Sequence, residues 1–276
     1  MKLADCSTFF DRTDILDADT GALLFRGQIK NYDESRRDAV TAYRRVLSVA
    51  PGTVIPASRA VRFFGDVWLV GDGQDDGQED LYRTKYVVQK VQGQAQIYSL
   101  AGFLTGTARA TVWADMQWLT DRREAETSSN SPQQYVAYIP RTAVSVLHDI
   151  IVLNGKAMLA QSNYEAGSGF LELRGILQPQ TGAYAAVVNK RQYVPSQGNY
   201  LAVASVPYSG FFVRWQELYR YEEQMDERYQ EGDFSLALPS SADVTTADTV
   251  LVSAREWSVT EVQAISGCKV LHLRTL

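Results

Sequence analysis

The sequence predicts a mainly all-β chain: two tandem small antiparallel β-barrel or sandwich domains built from a recurring unit. Three observations predict it. Short apolar runs of strand length recur at roughly ten-residue intervals with Gly and Pro between them, the signature of antiparallel barrels and sandwiches. The residues favour the pleated state: 15 Tyr stand among abundant Val and Thr, and 45% of the chain is hydrophobic, enough for a sizeable core. Finally, one layout occurs three times, about ninety residues apart, and such a period sets the architecture. Pro56 is followed by nine residues, Asp66 and Val67-Trp68-Leu69-Val70. Pro140 is followed by eight residues, Asp149 and Ile150-Ile151-Val152-Leu153, and Pro239 by eight residues, Asp248 and Thr249-Val250-Leu251-Val252.

In chain order, Met1 to Asp19 is acidic and poorly periodic and reads as an extended arm or surface loop. Gly21 to Ile29 and Val40 to Val49 read as strands, the second closed by Ala50-Pro51-Gly52. Four consecutive apolar residues, Val67 to Val70, fit a strand buried on both faces. Leu81 to Val91 alternates, with Tyr82, Thr84, Tyr86 and Val88 on one side. Tyr98, Phe103, Val112, Trp113 and Trp118 are core candidates. Thr120 to Gln134 is charged and then small and polar, which places a boundary there. The expected domains are 1–125, an N-terminal arm plus a first barrel, and 126–276, a second β-rich domain with two further units. Ala183 to Val188 and Tyr200 to Val206 flank a polar turn. Phe211 to Tyr229 fits a helical stripe and a strand about equally, with a slight lean to strand for Phe211 to Tyr221.

Chemistry is sparse in the sequence. There is no Gly-x-x-x-x-Gly-Lys-Ser/Thr phosphate loop and no Gly-x-Ser-x-Gly elbow, and the two histidines, His148 and His272, leave little for His-based catalysis. His148-Asp149 resembles half a triad, but it sits at a turn position of the repeat. The loop Gly71 to Asp80 carries Asp72, Asp75, Asp76, Glu79 and Asp80. It does not meet the calcium-loop register, because Arg83 or Tyr86 falls where the bidentate Glu belongs. Adjacent carboxylates in polar runs read as a solvated face. The expectation is therefore no enzyme, no cofactor and no metal. Asp66, Asp149 and Asp248 are expected to accept backbone N–H bonds and, with Pro56, Pro140 and Pro239, to form turns. A net charge of −5 argues against wrapping nucleic acid. No apolar stretch approaches the ~20 residues of a membrane span. Met1 to Arg12 lacks the apolar centre of a secretion signal, and Cys6 and Cys268 read as free thiols, so synthesis in the cytoplasm is expected.

Gly65-Asp66-Val67-Trp68-Leu69-Val70 and Asp248 to Val259, with Trp257 and Val259 opening the return strand, resemble the head-closure and head-tail connector (neck) proteins of tailed bacteriophages. Asn154-Gly155-Lys156 is similar to the turn of the middle unit, and Tyr43 to Gly52 is similar to the lead-in. The resemblance covers Arg36 to Val91 and Gly232 to Leu276 and extends more weakly between them. It implies small β-barrels that assemble as a homo-oligomeric ring in the virion, joining portal to tail, with no enzyme activity. The implied partners are further copies of the chain, the portal or adaptor protein and tail proteins; DNA would pass nearby without specific binding, and no membrane is involved. Asp72, Asp75, Asp76, Glu79 and Asp80 would face the channel or a partner. The competing expectations are a capsid-decoration or other tail or baseplate protein, and a carbohydrate-binding or glycoside-hydrolase-like β module.

Overall fold

The computed structural model describes residues 13–31, 44–56, 59–74, 84–118, 134–143, 147–165, 170–178, 183–213 and 234–276, and these form three closed six-stranded barrels. The first contains β1 (Thr13–Asp17), β2 (Leu23–Asn31), β3 (Arg44–Val49), β4 (Ala60–Phe63), β5 (Asp66–Gln74) and β6 (Thr84–Lys90). The second contains β7 (Gly93–Tyr98), β8 (Ala110–Trp118), β9 (Gln134–Pro140), β10 (Ile150–Leu153), β11 (Lys156–Glu165) and β12 (Phe170–Leu177), with the helix α1 (Leu100–Thr105) between β7 and β8. The third contains β13 (Tyr184–Val194), β14 (Asn199–Val213), β15 (Phe234–Pro239), β16 (Thr249–Val252), β17 (Arg255–Ile265) and β18 (Cys268–Thr275). Around every barrel the order is first, second, third, sixth, fifth, fourth strand. One antiparallel topology is thus used three times, and closure removes the exposed sheet edges that an open sheet would carry.

The tandem small barrels are as the sequence predicts, but they number three. The division expected at 125/126 falls between β8 and β9, which pair directly through Asp115 and Tyr138. Polar composition marks a surface connection, and it does not distinguish a loop within a barrel from a linker between barrels. The acidic residues that made the N-terminus look like an arm lie partly in β1. There Ile15 points into the core, while Asp14 points out to Arg26 at 2.8 Å. Asp75, Asp76, Glu79 and Asp80 lie outside the described residues, as does most of the ambiguous stretch after Val213. Asp72 falls within the backbone of β5.

Backbone hydrogen bonds put the repeat in register. The same turn leaves the third strand in each barrel: Thr53 N–H donates to Ala50 O, Ala143 N–H to Pro140 O and Ala242 N–H to Pro239 O. The same bond precedes each fourth strand: Val70 N–H donates to Arg59 O, Ala160 N–H to Asp149 O and Val259 N–H to Asp248 O. Arg59, Asp149 and Asp248 are therefore equivalent, and Asp66 lies one hairpin later, opening β5. The proline-to-aspartate layout matched the second and third barrels correctly and the first out of phase. The true counterpart of Pro140 and Pro239 is Ala50, and Pro56 instead accepts from Arg59 N–H at 3.2 Å. His148, with φ 69°, is a turn residue equivalent to Ala247.

Each interior is filled by one face of the strands. Leu47, Val61, Trp68 and Val88 fill the first barrel, Ile97, Ile139, Ile151 and Met158 the second, and Val188, Leu236, Val250, Trp257 and Leu271 the third. Trp68 stacks on Phe63 at 4.8 Å, and Trp257 meets Phe234 edge-on at 4.1 Å. Trp118, a core candidate by sequence, is 56% exposed at the end of β8. A small residue recurs in the second strand, just before Gln28, Asp115 and Phe211: Gly27, Ala114 and Gly210. A Cβ on Gly210 would stand 2.8 Å from Ala237 O, too close for two strands crossing there. The fourth-to-fifth hairpin is a two-residue turn with positive φ at both positions: Phe64-Gly65, Asn154-Gly155 and Ser253-Ala254. The α1 helix is held by Ser99, whose hydroxyl accepts from Gly102 N–H at 2.9 Å, and ends on Gly106 at φ 72°.

Two substitutions test this backbone account by urea denaturation. A Cβ at position 175 would lie 2.0 Å from Leu159 O, so Gly175→Ala lowers stability by about 1–3 kcal/mol through overpacking of the second barrel. Ala254 holds φ 60° without being Gly, so Ala254→Gly raises stability by about 1 kcal/mol by relieving left-handed strain.

Candidate interaction surfaces

Strand alternation gives each barrel an outer surface as well as a core. The register of the strands defines two faces that recur in all three barrels. The leading face is the outer side of the first, fourth and fifth strands, and the trailing face is the outer side of the second, third and sixth.

The leading face of the first barrel carries Ala60 opposite Leu69 and Arg62 opposite Val67. Ala60, Leu69, Val87 and Val91 form one buried cluster with Val136, Tyr138 and Phe170 of the second barrel. The leading face of the second barrel carries Ile150 opposite Leu159 and Val152 opposite Ala157. Ile150, Ala157 and Leu159 form one cluster with Phe211, Val213, Ala237, Cys268 and Val270 of the third barrel. Consecutive barrels therefore dock twice, with equivalent positions of the fourth and fifth strands packed on the second, third and sixth strands of the next barrel. In the first junction Val87 and Gln89 of the first barrel's sixth strand join them. The connection between first and second strands takes part both times. In the first barrel Ala18 joins the cluster and Asp19 accepts from Trp113 Nε1 at 2.8 Å. In the second barrel this connection is α1, and Phe103 meets Phe211 edge-on at 5.0 Å.

The row across the trailing face differs from barrel to barrel. In the third it is Phe211, Ala237 and Val270; in the second it is Asp115, Tyr138 and Glu172; in the first it is Gln28, Ser48 and Lys85. Asp115 is buried and accepts from Gln89 Nε2 of the first barrel at 2.9 Å. It also accepts from Gln117 Nε2. Burial pushes its carboxyl up to about 6 against the opposing pull of the Gln117, Gln89 and Lys90 contacts. Burial likewise raises the Tyr138 hydroxyl, over whose ring the Arg44 guanidinium sits at 5.3 Å.

An ion pair ends the fourth strand's approach in every barrel, with its polarity reversed in the first. Arg59 Nη2 donates to Asp17 Oδ2 at 2.8 Å, Arg109 Nη1 to Asp149 Oδ2 at 2.9 Å and Lys190 Nζ to Asp248 Oδ2 at 2.8 Å. The Arg59 bond, with others from Thr20 and Asp19, holds the Asp17 carboxyl well below the usual range. Asp248 is the turn former the sequence suggested: it accepts from Thr245 N–H at 2.8 Å and Arg191 N–H at 2.9 Å. Burial opposes its ionisation, but these bonds and Lys190 outweigh burial and lower its pKa. The Asp149 side chain is fully buried beneath Arg109. Asp66 accepts from Lys90 Nζ at 2.8 Å at the surface. Pro140 ends β9 beside a cleft of about 650 Å³ between the first and second barrels, which Asp17, Arg59, Arg109 and Trp113 also line. Every charged group named there is engaged with another.

His272 and Cys268 lie in packed positions. Ser235 Oγ and His272 Nδ1 are 2.8 Å apart and buried. Burial pushes the Cys268 thiol up to about 11, so it behaves as a small apolar side chain. Among the described residues no group of three or more His, Cys, Asp or Glu could hold a metal ion, and no helix is long and apolar enough to cross a membrane.

The third barrel has one element without counterpart. β13 and β14 stay paired as far as Val194 and Asn199, while β16 follows β13 only from Ala186 to Asn189. Beyond Asn189 the two strands form a free ribbon roughly 17 Å long, taking about five residue pairs at 3.4 Å each. Tyr193, Tyr200, Leu201 and Val203 are exposed on it, and the Tyr193 and Tyr200 rings lie 5.3 Å apart. Two strands and a turn are legible in the sequence here, but nothing in it distinguishes a ribbon from two barrel staves.

Comparison of the chain with family models, with curated proteins and with solved structures finds no match.

The Asp115 contact sets a pH dependence on the junction of the first two barrels. Its pKa is raised on folding, so the associated stability is full below about pH 4 and is lost as pH rises through about 6, a change of about 3 kcal/mol. Asp17 and Asp248 are shifted the other way, so their contributions are lost only below about pH 4. Urea unfolding across this range will show stability falling between about pH 4 and pH 7 in the wild type, with Asp115→Asn removing most of that slope.

Proposed function

We propose that this chain is a structural protein of a tailed-phage virion that forms a ring at the head-tail junction, between portal and tail. The single observation that supports it is the docking of successive barrels, leading face to trailing face, by one repeated mode. Contacts of this heterologous kind between subunits are what close a ring. The resemblance of the Asp248 to Val259 hairpin to neck proteins supplies the place in the virion. In this reading the apolar junctions make each chain a stiff three-barrel strut, and ring closure uses surfaces at its two ends. DNA passes through without specific contacts, consistent with a net charge of −5.

The test is the mass of the purified protein, alone and mixed with a portal ring, with negative-stain images of both samples. The expected outcome is a closed ring of this chain, free or seated on the portal. A chain that neither forms rings nor binds the portal removes the assignment.

A further inference from the structure

The two ends of the barrel series differ from the junctions within it, and they differ in opposite senses. At the positions of Ile150 and Leu159 the third barrel has Thr249 and Ser258, and at those of Val152 and Ala157 it has Leu251 and Glu256. On the adjoining first strand, Tyr98 and Gln96 are replaced by Asn189 and Val187. This end face is polar but ordered. Glu256 accepts from the Thr249 hydroxyl and from Asn189 Nδ2, and those two bonds, outweighing its slight burial, keep its carboxyl below the ordinary range. Leu251 is 38% exposed in the middle of it. The opposite end, the trailing face of the first barrel, has Arg26 where the second barrel has Trp113. It has Lys30 where the third has Val213, and Lys85 where the third has Val270. Among the described residues, one end carries a fixed carboxylate, and the other carries Lys30 and Lys85 beside the Arg26–Asp14 pair.

We propose that the leading face of the third barrel, together with the β13–β14 ribbon, binds the trailing face of the first barrel of a second copy, so that chains join head to tail in the same mode that joins barrels within the chain. The ribbon is the connection between first and second strands, the element that reaches the next barrel at both internal junctions. In the third barrel this connection is lengthened and carries exposed tyrosine, leucine and valine. Residues 173–216 contain no Asp or Glu, although 32 of 276 residues are acidic and a run of that length would hold about five. The ribbon's part in the contact is therefore carried by its exposed Tyr193, Tyr200, Leu201 and Val203 and not by carboxylates. Hydrophilic ends around an apolar patch suit a contact that forms and releases, whereas the internal junctions are held within one chain around apolar clusters. Plain solvent caps, the other account of polar end units, would not expose Leu251 and the ribbon apolar residues.

The proposal deepens the ring reading and rests on it for closure, though not for the place in the virion. The experiment is sedimentation of the full chain over a range of concentration and salt. The wild type self-associates, and rising salt weakens the contact. Glu256→Lys alone and the Lys30→Glu, Lys85→Glu double variant alone each weaken association about tenfold or more, since charge reversal at a complementary contact repels. Mixing the two variants restores association, because each supplies the end that the other needs. Tyr200→Ser weakens it without touching either charge set. A wild type that stays monomeric overturns the proposal and makes the ends solvent caps. Association unmoved by the charge variants, or not restored by mixing, overturns it as well. Restored association with no binding to a portal ring leaves the docking mode standing and removes only the virion assignment.

Discussion

The arrangement of the molecule depends on what the fourth and fifth strands carry on their outer side. Closing a six-stranded sheet satisfies its backbone and fills its centre, and it leaves an outer surface that must be polar or covered. Ala60 with Leu69, and Ile150 with Leu159, make that surface apolar in the first two barrels. Each is then covered by the second, third and sixth strands of the barrel that follows. At about 25 cal/mol per Å² of apolar surface, a cluster of several aliphatic side chains outweighs any single surface ion pair in the chain. The exposed Arg26–Asp14 and Lys90–Asp66 pairs therefore trim the surface, and the outer aliphatic rows hold the barrels together.

The two junctions are built with different chemistry. Between the second and third barrels both sides are apolar, with α1 laid across them. Between the first and second, the trailing row includes Asp115 and Glu172 around Tyr138, and a buried amide-to-carboxyl bond crosses from Gln89. A buried carboxyl held by amide donors makes that junction responsive to protons, whereas the Cys268 side of the other junction is not. The charge pair ahead of each fourth strand persists through a reversal of sign, Arg59 with Asp17 against Asp149 with Arg109. What the architecture keeps there is an ion pair, and which partner is acidic matters little.

Much of the fold was legible in the sequence, because two-residue alternation and turn chemistry are local signals. Val250 to Val252 pairing with Trp257, and the strands at Ala183 to Val188 and Tyr200 to Val206, follow from local pattern. The threefold unit was visible through Pro140, Asp149, Pro239 and Asp248, which occupy equivalent places. It was misread in the first barrel because Ala50 and Arg59 are chemically unlike proline and aspartate, and only the backbone bonds reveal the match. The count of barrels was missed for a related reason: the strands on either side of the polar stretch before Gln134, β8 and β9, belong to one barrel. The surfaces were least legible. Leu69 reads as buried within Val67 to Val70, and the sequence does not say whether a buried side chain faces its own barrel or the next. The ribbon was invisible as a ribbon, since pairing length is set by where the neighbouring strands stop.

The most direct measurement is a pair of double-mutant cycles on the full chain, read by equilibrium unfolding: Leu69→Ala with Phe170→Ala, and Leu159→Ala with Phe211→Ala. If consecutive barrels are locked by the outer face of one against the trailing strands of the next, each pair shows a coupling of about 0.5–3 kcal/mol. Additive losses in both cycles would mean that the barrels fold and stand independently, and would contradict the account of a single head-to-tail docking mode.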